Sequence, residues 1–238
     1  MIELTTRWGR TLELEQVNKE YPRPQLVRDS FFSLHGNWEY AINQTADVND
    51  YDGEILVPFS PEAKLSGVSR MVRPEDYLHY KKVFVLPEGF RKERVILHFG
   101  AVDQECVVAL NGQVLGEHKG GYLAFSFDVT DKLCEGENEL KLCVRDFTEK
   151  VPHARGKQRL VKPKLMPSLF YTAQSGIWKS VWLESVPENY IQGVKITPLF
   201  DESSVKIEVK AEGTKKQGNI TIFDGEKEVQ TADWTAEK

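Results

Sequence analysis

Hydrophobic and polar positions alternate along the chain in short runs, which is the pattern of β-strands rather than of helices. Such runs, bounded by glycine, proline, asparagine or aspartate, occupy 55–57, 80–86, 95–99, 106–110, 124–129 and 140–144. In the last run, Leu142 and Val144 are predicted to face one side of a sheet, and Lys141, Cys143 and Arg145 the other. Many short strands with frequent turns favour an all-β fold, a β-sandwich of the jelly-roll or immunoglobulin kind.

A break in this pattern predicts a boundary between two domains. The run 178–184 has the pattern of a closing strand, and Pro187 follows it. Further strands are expected at 194–199, 205–209, 220–223 and 228–231. An immunoglobulin-like domain needs about seven strands and about 100 residues. The sequence therefore predicts a jelly-roll sandwich over residues 1–186 and the truncated beginning of an immunoglobulin-like sandwich over residues 187–238. The unpaired strand edges of such a partial domain are expected to favour self-association.

Three local motifs predict turns. Asn111-Gly112 stands between two apolar runs and predicts a two-residue hairpin loop, because both positions tolerate the positive φ of a type I′ turn. Gly120-Gly121 predicts a tight turn, and Asp128 is expected to hydrogen-bond the backbone beside Thr130.

Composition excludes several classes of partner. The chain has 31 basic and 36 acidic side chains and a net charge of -5, so no basic field for nucleic acid is present. No apolar run reaches the roughly 18–20 residues of a membrane span. The first residues lack the apolar stretch of a secretory signal, so we expect a cytoplasmic protein. Three irregularly spaced cysteines suit a reducing compartment better than a disulfide framework or zinc site.

The sequence shows no catalytic or cofactor-binding signature. It has no Gly-x-Ser-x-Gly elbow, no His-Glu-x-x-His motif and no glycine-rich loop leading into a helix. The five histidines are not clustered, and the segment 47–53 lacks the glycine and glutamate spacing of a calcium loop. We therefore predict no metal and no cofactor. His98 is interpreted as a structural histidine, and Trp38, Trp178 and Trp182 as core aromatics.

Several motifs, taken together and in order, resemble the N-terminal sugar-binding-type jelly roll of glycoside hydrolase family 2, which includes β-galactosidases and β-glucuronidases. The resemblance covers roughly residues 20–185 and is carried by 37–40, 98–103, 109–112, 116–122, 127–130, 136–140 and 175–184. Within these motifs, a structural role is expected for Asp103, Asn111, Gly112, His118, Gly120, Gly121, Asp128, Gly176 and Trp178.

The resemblance implies a retaining, exo-acting β-glycosidase whose chemistry belongs to a (β/α)₈ barrel. A barrel takes about 250 residues, and none is present here. Retaining hydrolysis needs two carboxyl groups about 5–5.5 Å apart. The pair Asn138-Glu139 is similar to the family's Asn-Glu acid/base motif, but it lies in a turn and is assigned to solvent-facing structure. We therefore expect no catalytic residue in this chain, which would meet its β-glycoside through the missing barrel. Homo-oligomerisation is left open.

The resemblance also points to a sugar-contacting rim. In the family, an aspartate six residues before the glycine of the closing motif contacts the sugar, whereas here that position is Phe170. The chain instead resembles a subgroup with an Arg-Gly-Lys-Gln loop. The candidate substrate-binding residues are Arg155, Lys157, Gln158, Phe170 and Tyr171. The loop 62–67 is a weaker candidate for the same mouth.

Other interpretations remain open. Phe170 and Tyr171 are equally well explained by core or interdomain packing. Arg155 and Lys157 also suit a solvated loop or a salt bridge to the barrel. The whole chain is alternatively a stand-alone carbohydrate-binding module or a purely structural sandwich.

Overall fold

A computed structural model describes residues 6–13, 17, 20–161, 169–215 and 217–235. These residues contain eighteen strands, one short helix and four 3₁₀ helices. The strands are β1 (Phe31–Ser33), β2 (Gly36–Asn43), β3 (Gly53–Val57), β4 (Tyr77–Val85), β5 (Arg94–Phe99), β6 (Val102–Asp103), β7 (Glu105–Leu110), β8 (Gln113–Lys119), β9 (Phe125–Asp128), β10 (Glu137–Arg145), β11 (Gln158–Arg159), β12 (Tyr171–Thr172), β13 (Gly176–Ile177), β14 (Val181–Val186), β15 (Tyr190–Leu199), β16 (Ser204–Glu212), β17 (Gln217–Asp224) and β18 (Lys227–Thr235). Helix α1 spans Arg7–Arg10, and the 3₁₀ helices span Pro24–Leu26, Lys64–Ser66, Thr130–Lys132 and Phe200–Glu202. None of the helices in these ranges is long and apolar enough to cross a membrane.

Two antiparallel sheets build the first part of the chain. One has the strand order β1-β14-β5-β9, and the other has the order β3-β2-β4-β10-β7-β8. Strand β14 lies between β1 and β5, so the closing strand returns to the beginning of the fold. The pairs β6-β13 and β11-β12 form small ladders of two residues per strand. The predicted all-β sandwich is confirmed.

The core lies between the two sheets, and every second side chain of a strand points into it. On β10, Leu140, Leu142 and Val144 are buried, while Lys141 and Cys143 are only partly covered, as the alternation predicts. The inward residues of both sheets join one hydrophobic cluster whose largest fully buried members include Trp38, Tyr80, Phe99, Leu97 and Leu183.

Of the three tryptophans predicted to be core aromatics, two are buried, and the interpretation is wrong only for Trp178. Trp38 is buried between the sheets, as expected. Trp182 is buried too, but on the opposite face of β14, because Val181 and Leu183 occupy the inward positions. Trp178 precedes β14 and is only half-buried.

Asn138 corrects a second expectation. Its side chain is fully buried at the start of β10, not solvent-facing. The amide oxygen accepts from Asn111 Nδ2 at 2.9 Å and from the Cys134 N–H at 2.8 Å. The neighbouring Glu139 lies half-exposed on the outer face and pairs with Lys141 at 2.6 Å. This Asn-Glu pair is therefore a turn anchor followed by a surface ion pair.

The predicted turns form. Asn111 and Gly112 have φ values of 51° and 76° and join β7 to β8 in a two-residue hairpin. Asp128 Oδ1 accepts from the Thr130 N–H at 3.0 Å and from its hydroxyl. Gly120 has a φ of 107°, which suits the predicted tight turn.

The second part of the chain consists of two hairpins, β15-β16 and β17-β18. Strands form where the sequence predicted them, but no described residue from position 187 onward is buried. Apolar side chains such as Ile207, Ile220 and Ile222 line an open cleft between the hairpins. The hairpins thus have no core of their own. The domain ranges 1–186 and 187–238 stay a prediction.

Gly176 offers a sharp test of the sandwich packing. Its φ is +75°, and an added Cβ would overlap the Tyr80 hydroxyl and meet Leu78 Cδ2 at 2.7 Å. Gly176→Ala should lower the free energy of unfolding by about 3 kcal/mol or more, because overpacking adds to the cost of a positive φ. Urea denaturation measures the change.

Gly112→Ala is the matched control. Gly112 has almost the same φ, +76°, but nothing lies within 4 Å of an added Cβ. This variant should lose only about 1 kcal/mol. Equal losses in the two variants would contradict the packing explanation.

Candidate functional site

The candidate site forms where four connecting segments meet at one end of the sandwich. The segments are 100–104 after β5, 120–124 after β8, 146–157 after β10 and 173–180 before β14. Backbone hydrogen bonds join three of them, from Gly100 N to Ser180 O at 2.8 Å and from Gly120 N to Gln104 O at 2.8 Å. The fourth is joined by the Ser175 hydroxyl, which donates to Asp146 Oδ2 at 2.7 Å. The end of the sandwich is thus a single hydrogen-bonded platform. Residues 162–168, part of the long loop expected from the sequence, lie outside the described residues.

Gln158 lies at the centre of this platform and is buried. Its Nε2 donates to Asp103 Oδ2 at 3.2 Å and to the Tyr122 hydroxyl at 3.3 Å. Its Oε1 accepts from the Gln174 N–H at 2.7 Å. Both ends of the amide are therefore used inside the protein. Gln158 ties the predicted rim loop to the sandwich.

The same loop is held against Tyr171. Strands β11 and β12 pair in parallel, with Gln158 opposite Tyr171. The Lys157 N–H donates to the Tyr171 hydroxyl at 3.2 Å. Gly156 has a φ of +59°, and a Cβ there would lie 2.6 Å from the same hydroxyl, so the loop needs glycine. Lys157 and Tyr171 are joined at this point of the loop, and both residues are exposed to solvent.

Arg155 and Phe170 lie at the edges of this rim. Arg155 is half-buried, and its Nε has no hydrogen-bond partner within the part of the chain that the structure describes. Phe170 is half-buried beneath the Arg159 guanidinium, 4.6 Å from the ring centroid. The Arg159 group also donates to Gln158 O at 2.7 Å. Arg159 was not singled out from the sequence, although it directly follows the Arg-Gly-Lys-Gln motif.

Two further aromatic side chains complete the rim. Trp178 Nε1 donates to Gly121 O at 2.8 Å, and its ring meets Tyr122 edge-on at 5.9 Å. Tyr122 is exposed by 39% and shares the Gln158 amide. The sequence signalled Tyr122 only as the last residue of the glycine turn motif.

His118 and Gly121, which the motif predicts to be structural, both make contacts within the protein. The His118 ring stacks on Phe125 at 4.0 Å, and its Nε2 lies 3.1 Å from Gly120 O. Gly121 packs directly on the carboxylate of Asp103, which any Cβ at position 121 would overlap. Larger residues at this turn would push the Asp103 side chain away from Gln158.

Asp103 and Asp146 are buried beneath the rim. Burial, helped by the nearby Asp146 carboxylate, raises the pKa of Asp103 to about 6, although the hydrogen bond from Gln158 lowers it. Burial also raises the pKa of Asp146, against hydrogen bonds from Ser175 and Thr148. The Ser175 hydroxyl donates to Asp146 Oδ2 at 2.7 Å.

Glu62 reaches the same cluster from the segment between β3 and β4. Its carboxylate accepts from the Ser175 N–H at 3.0 Å and from the Val72 N–H at 3.2 Å. Burial raises the pKa of Glu62 to about 7, although these backbone hydrogen bonds lower it. Ser175 thus bridges two carboxylates. The 62–67 loop therefore contacts the platform through the Glu62 carboxylate, which lies beneath the rim and not on it.

Chemically, the platform presents aromatic faces and cations above a buried acidic layer. Its exposed groups include the Lys157 ammonium and the Tyr171 and Tyr122 rings. Such combinations suit ring stacking and hydrogen bonding to hydroxyl groups or a carboxylate. No group of three or more histidine, cysteine, aspartate or glutamate side chains placed to hold a metal is found among the described residues.

The acidic layer predicts an unusual dependence of stability on pH. The folded chain keeps protons on Asp103 and Glu62 at a higher pH than the unfolded chain, whose carboxyl groups titrate near pH 4. Their contribution to the free energy of unfolding is therefore greatest below about pH 4 and falls as the pH rises to about 7. Urea denaturation between pH 4.5 and 8 should show that Glu62→Gln and Asp103→Asn flatten this fall.

Glu139→Gln, on the outer face of β10, is the control for these variants and should keep the slope of the parent chain. A slope that is the same in all four proteins would show that neither buried carboxyl group is responsible.

Comparisons with known proteins find a family model and several relatives that match this chain. A family model described as the galactose-binding domain-like domain of glycosyl hydrolase 2 matches residues 55–179. A β-galactosidase of Thermoanaerobacter pseudethanolicus is 27% identical over 164 residues, which are 66% of this chain and 21% of that protein. A β-glucuronidase of Streptococcus agalactiae is 25% identical over 224 residues, which are 86% of this chain and 36% of that protein.

A solved structure is similar in fold. The β-glucuronidase of Bifidobacterium dentium, in complex with coumarin-3-O-glucuronide, superposes with a TM-score of 0.66 at 23% identity. The match covers 92% of this chain and 41% of that structure. The chain thus spans between about a fifth and two fifths of the length of these proteins. Because the family model matches just over half of the chain, including most of the sandwich and its platform, this chain belongs to the galactose-binding-like domain family of glycosyl hydrolase 2.

Proposed function

We propose that this chain is the N-terminal, non-catalytic part of a retaining β-glycosidase, in which it forms one wall of the active-site mouth. The chemistry would belong to a (β/α)₈ barrel in a further part of the protein. Membership of the family supports this proposal, as do relatives named β-galactosidase and β-glucuronidase that are several times longer than the matched region. The substrate class is a β-glycoside.

The observation that carries the proposal is the Gln158 amide. By binding Asp103, Tyr122 and the Gln174 backbone at once, it fixes the loop before β11 and the strand β12 in one arrangement. Loops fixed by buried hydrogen bonds are suited to recognition, because little conformational entropy is lost when a ligand binds.

Each rim residue then has a distinct role. Lys157 and Arg155 would donate hydrogen bonds to hydroxyl or carboxylate oxygens of the sugar or its leaving group. Tyr171 would offer a face for stacking. Phe170, covered by Arg159, would pack against the neighbouring domain. Gln158 would act as a positioning residue that never touches the substrate.

The carboxyl groups of the platform do not suit the hydrolytic step. Retaining hydrolysis uses two carboxyl groups that face the glycosidic bond, one as acid/base and one as nucleophile. Asp103, Asp146 and Glu62 instead accept hydrogen bonds from the protein and lie beneath the rim. The reacting pair is therefore assigned to the barrel.

The finer features of the protein are proposed on the same basis. Residues 187–238 would begin an immunoglobulin-like sandwich, because the two hairpins leave apolar side chains such as Ile220 and Val229 uncovered. Further strands would cover them. A cytoplasmic location fits the unpaired thiols of Cys106, Cys134 and Cys143.

The alternative function is a stand-alone carbohydrate-binding module, which the exposed rings of Tyr171 and Tyr122 favour. The length of the natural reading frame separates the two functions. A frame that continues into a barrel with two facing glutamates supports the enzyme, and a frame that stops near residue 238 overturns it.

In the full-length enzyme, Lys157→Gln should lower kcat/KM by about tenfold, because a charge-assisted hydrogen bond to the substrate is lost. The melting temperature should stay unchanged, since the Lys157 side chain is exposed and only its backbone N–H anchors the loop. Steady-state kinetics and thermal denaturation measure the two effects.

Lys132→Gln is the control, because Lys132 binds Gln113 at the opposite end of the sandwich. It should leave kcat/KM within twofold of the parent enzyme. Parent-like kinetics in the Lys157 variant as well would rule out a substrate-binding role for this rim.

A further inference from the structure

A second cleft lies on the side of the four-stranded sheet that faces away from the core. It has a volume of about 540 Å³ and is bounded by β5, β9 and β14, by the segment 23–28 and by the hairpin β15-β16. Arg28 Nη2 donates to Ile191 O, which fixes the hairpin against the segment. The volume falls within the range of about 300–1,000 Å³ that is typical of small-molecule sites.

At the base of the cleft lies Glu184, which is buried to 99%. One carboxylate oxygen accepts from the Tyr21 hydroxyl and from Trp182 Nε1, the latter at 2.9 Å. The other accepts from Arg23 Nη2 and from Arg28 Nε, the latter at 2.9 Å. Every acceptor position of the carboxylate is therefore occupied.

This arrangement leaves positive charge uncompensated. Burial opposes ionisation of the carboxylate, but contacts from His98, Tyr21 and Trp182 hold the pKa of the group well below its usual range. One negative charge thus faces the two guanidinium groups of Arg23 and Arg28, whose side chains are exposed by only 27% and 16%. An excess charge at this depth is unfavourable unless an anion joins it.

The other charged groups of the cleft shift this balance. Arg94 pairs with two carboxylates, Asp128 at 3.2 Å and Glu188 at 3.1 Å, so this group carries one excess negative charge. Lys210 gives the cleft its net positive charge. Lys210, on β16, is exposed at the rim of the cleft and forms no ion pair with any described residue. The cleft therefore offers an exposed ammonium above a buried guanidinium pair.

Three buried polar atoms around the cleft lack hydrogen-bond partners within the described ranges. They are Arg23 Nε, His98 Nε2 and Gln192 Oε1. His98 Nε2 lies 3.4 Å from Glu184, but without the geometry of a hydrogen bond. Such orphaned groups are rare in folded proteins and are usually satisfied by water or a ligand. Together they supply a cationic donor, an imidazole nitrogen and an acceptor.

We propose that this cleft binds a small hydroxylated ligand that carries an oxyanion, either a carboxylate or a phosphate. The oxyanion would lie between Arg23 and Lys210, where it would neutralise the excess charge. A ligand hydroxyl would donate to Gln192 Oε1. The ring of Tyr190, which also lines the cleft, gives the ligand an apolar wall.

Isothermal titration calorimetry of the chain with glucuronate, inorganic phosphate and glucose, at pH 7.5 and low salt, tests the proposal. We expect a charged probe to bind with a Kd below about 1 mM and glucose not to bind, since glucose has the ring of glucuronate without its charge. Binding of glucuronate alone identifies a carboxylate ligand, and binding of phosphate alone identifies a phosphate ligand. Binding of neither, or equal binding of glucose, overturns the proposal.

Lys210→Gln and Lys206→Gln form a matched pair of variants. Both residues are exposed on β16, but Lys206 pairs with Glu208 at 3.3 Å and does not line the cleft. Lys210→Gln should weaken binding of the charged probe about fivefold, and Lys206→Gln should leave it unchanged. Equal weakening by both variants would indicate nonspecific attraction by surface charge and would also overturn the proposal.

Discussion

The hydrogen bond between Gln158 and Asp103 is the interaction on which the rest of the platform depends. It joins the ladder β6-β13, which belongs to the sandwich, to the loop that carries Lys157. Burying a carboxyl group or an amide without a hydrogen-bond partner would cost several kcal/mol of folding free energy. The hydrogen bond between the two side chains offsets this cost for both. The exposed rim thus inherits its geometry from a polar contact that lies entirely below the surface.

Glycine is the second constraint, and it acts at the points where loops approach buried polar groups. Gly121 lies against Asp103, and Gly156 lies against the Tyr171 hydroxyl. At both positions even a methyl group would separate the partners. The platform therefore combines hydrogen bonds that hold the loops together with glycines that let them come close. Side chains that face solvent, such as Lys157, are free of this constraint, and there substitutions leave the fold intact.

How much of this could be predicted from the sequence depends on the range of the interaction. The Asn111-Gly112 hairpin and the alternation along β10 were predicted, because neighbours in the chain determine them. The burial of Asn138 was missed, because Asn111, which packs on it from 27 positions away, adds to the local hydrogen bond from Cys134. At the rim, the motif located Gln158 and Tyr171, but their depths, 3% and 50% exposed, arise from tertiary contacts that no local pattern encodes.

Strand β14 shows how one short run can serve both faces of a sheet. Leu183 points into the core, while Trp182 and Glu184 point outward, and all three are buried. A strand with one solvated face would alternate apolar and polar residues, whereas one covered on both faces is buried throughout. The outer face of β14 is covered by the segment that carries Arg23 and Arg28, and both arginines form ion pairs with Glu184. An ion-pair cluster, together with the contact of the Tyr21 ring with Phe31, therefore closes this side of the sandwich, and the charged groups of this cover leave a polar cleft.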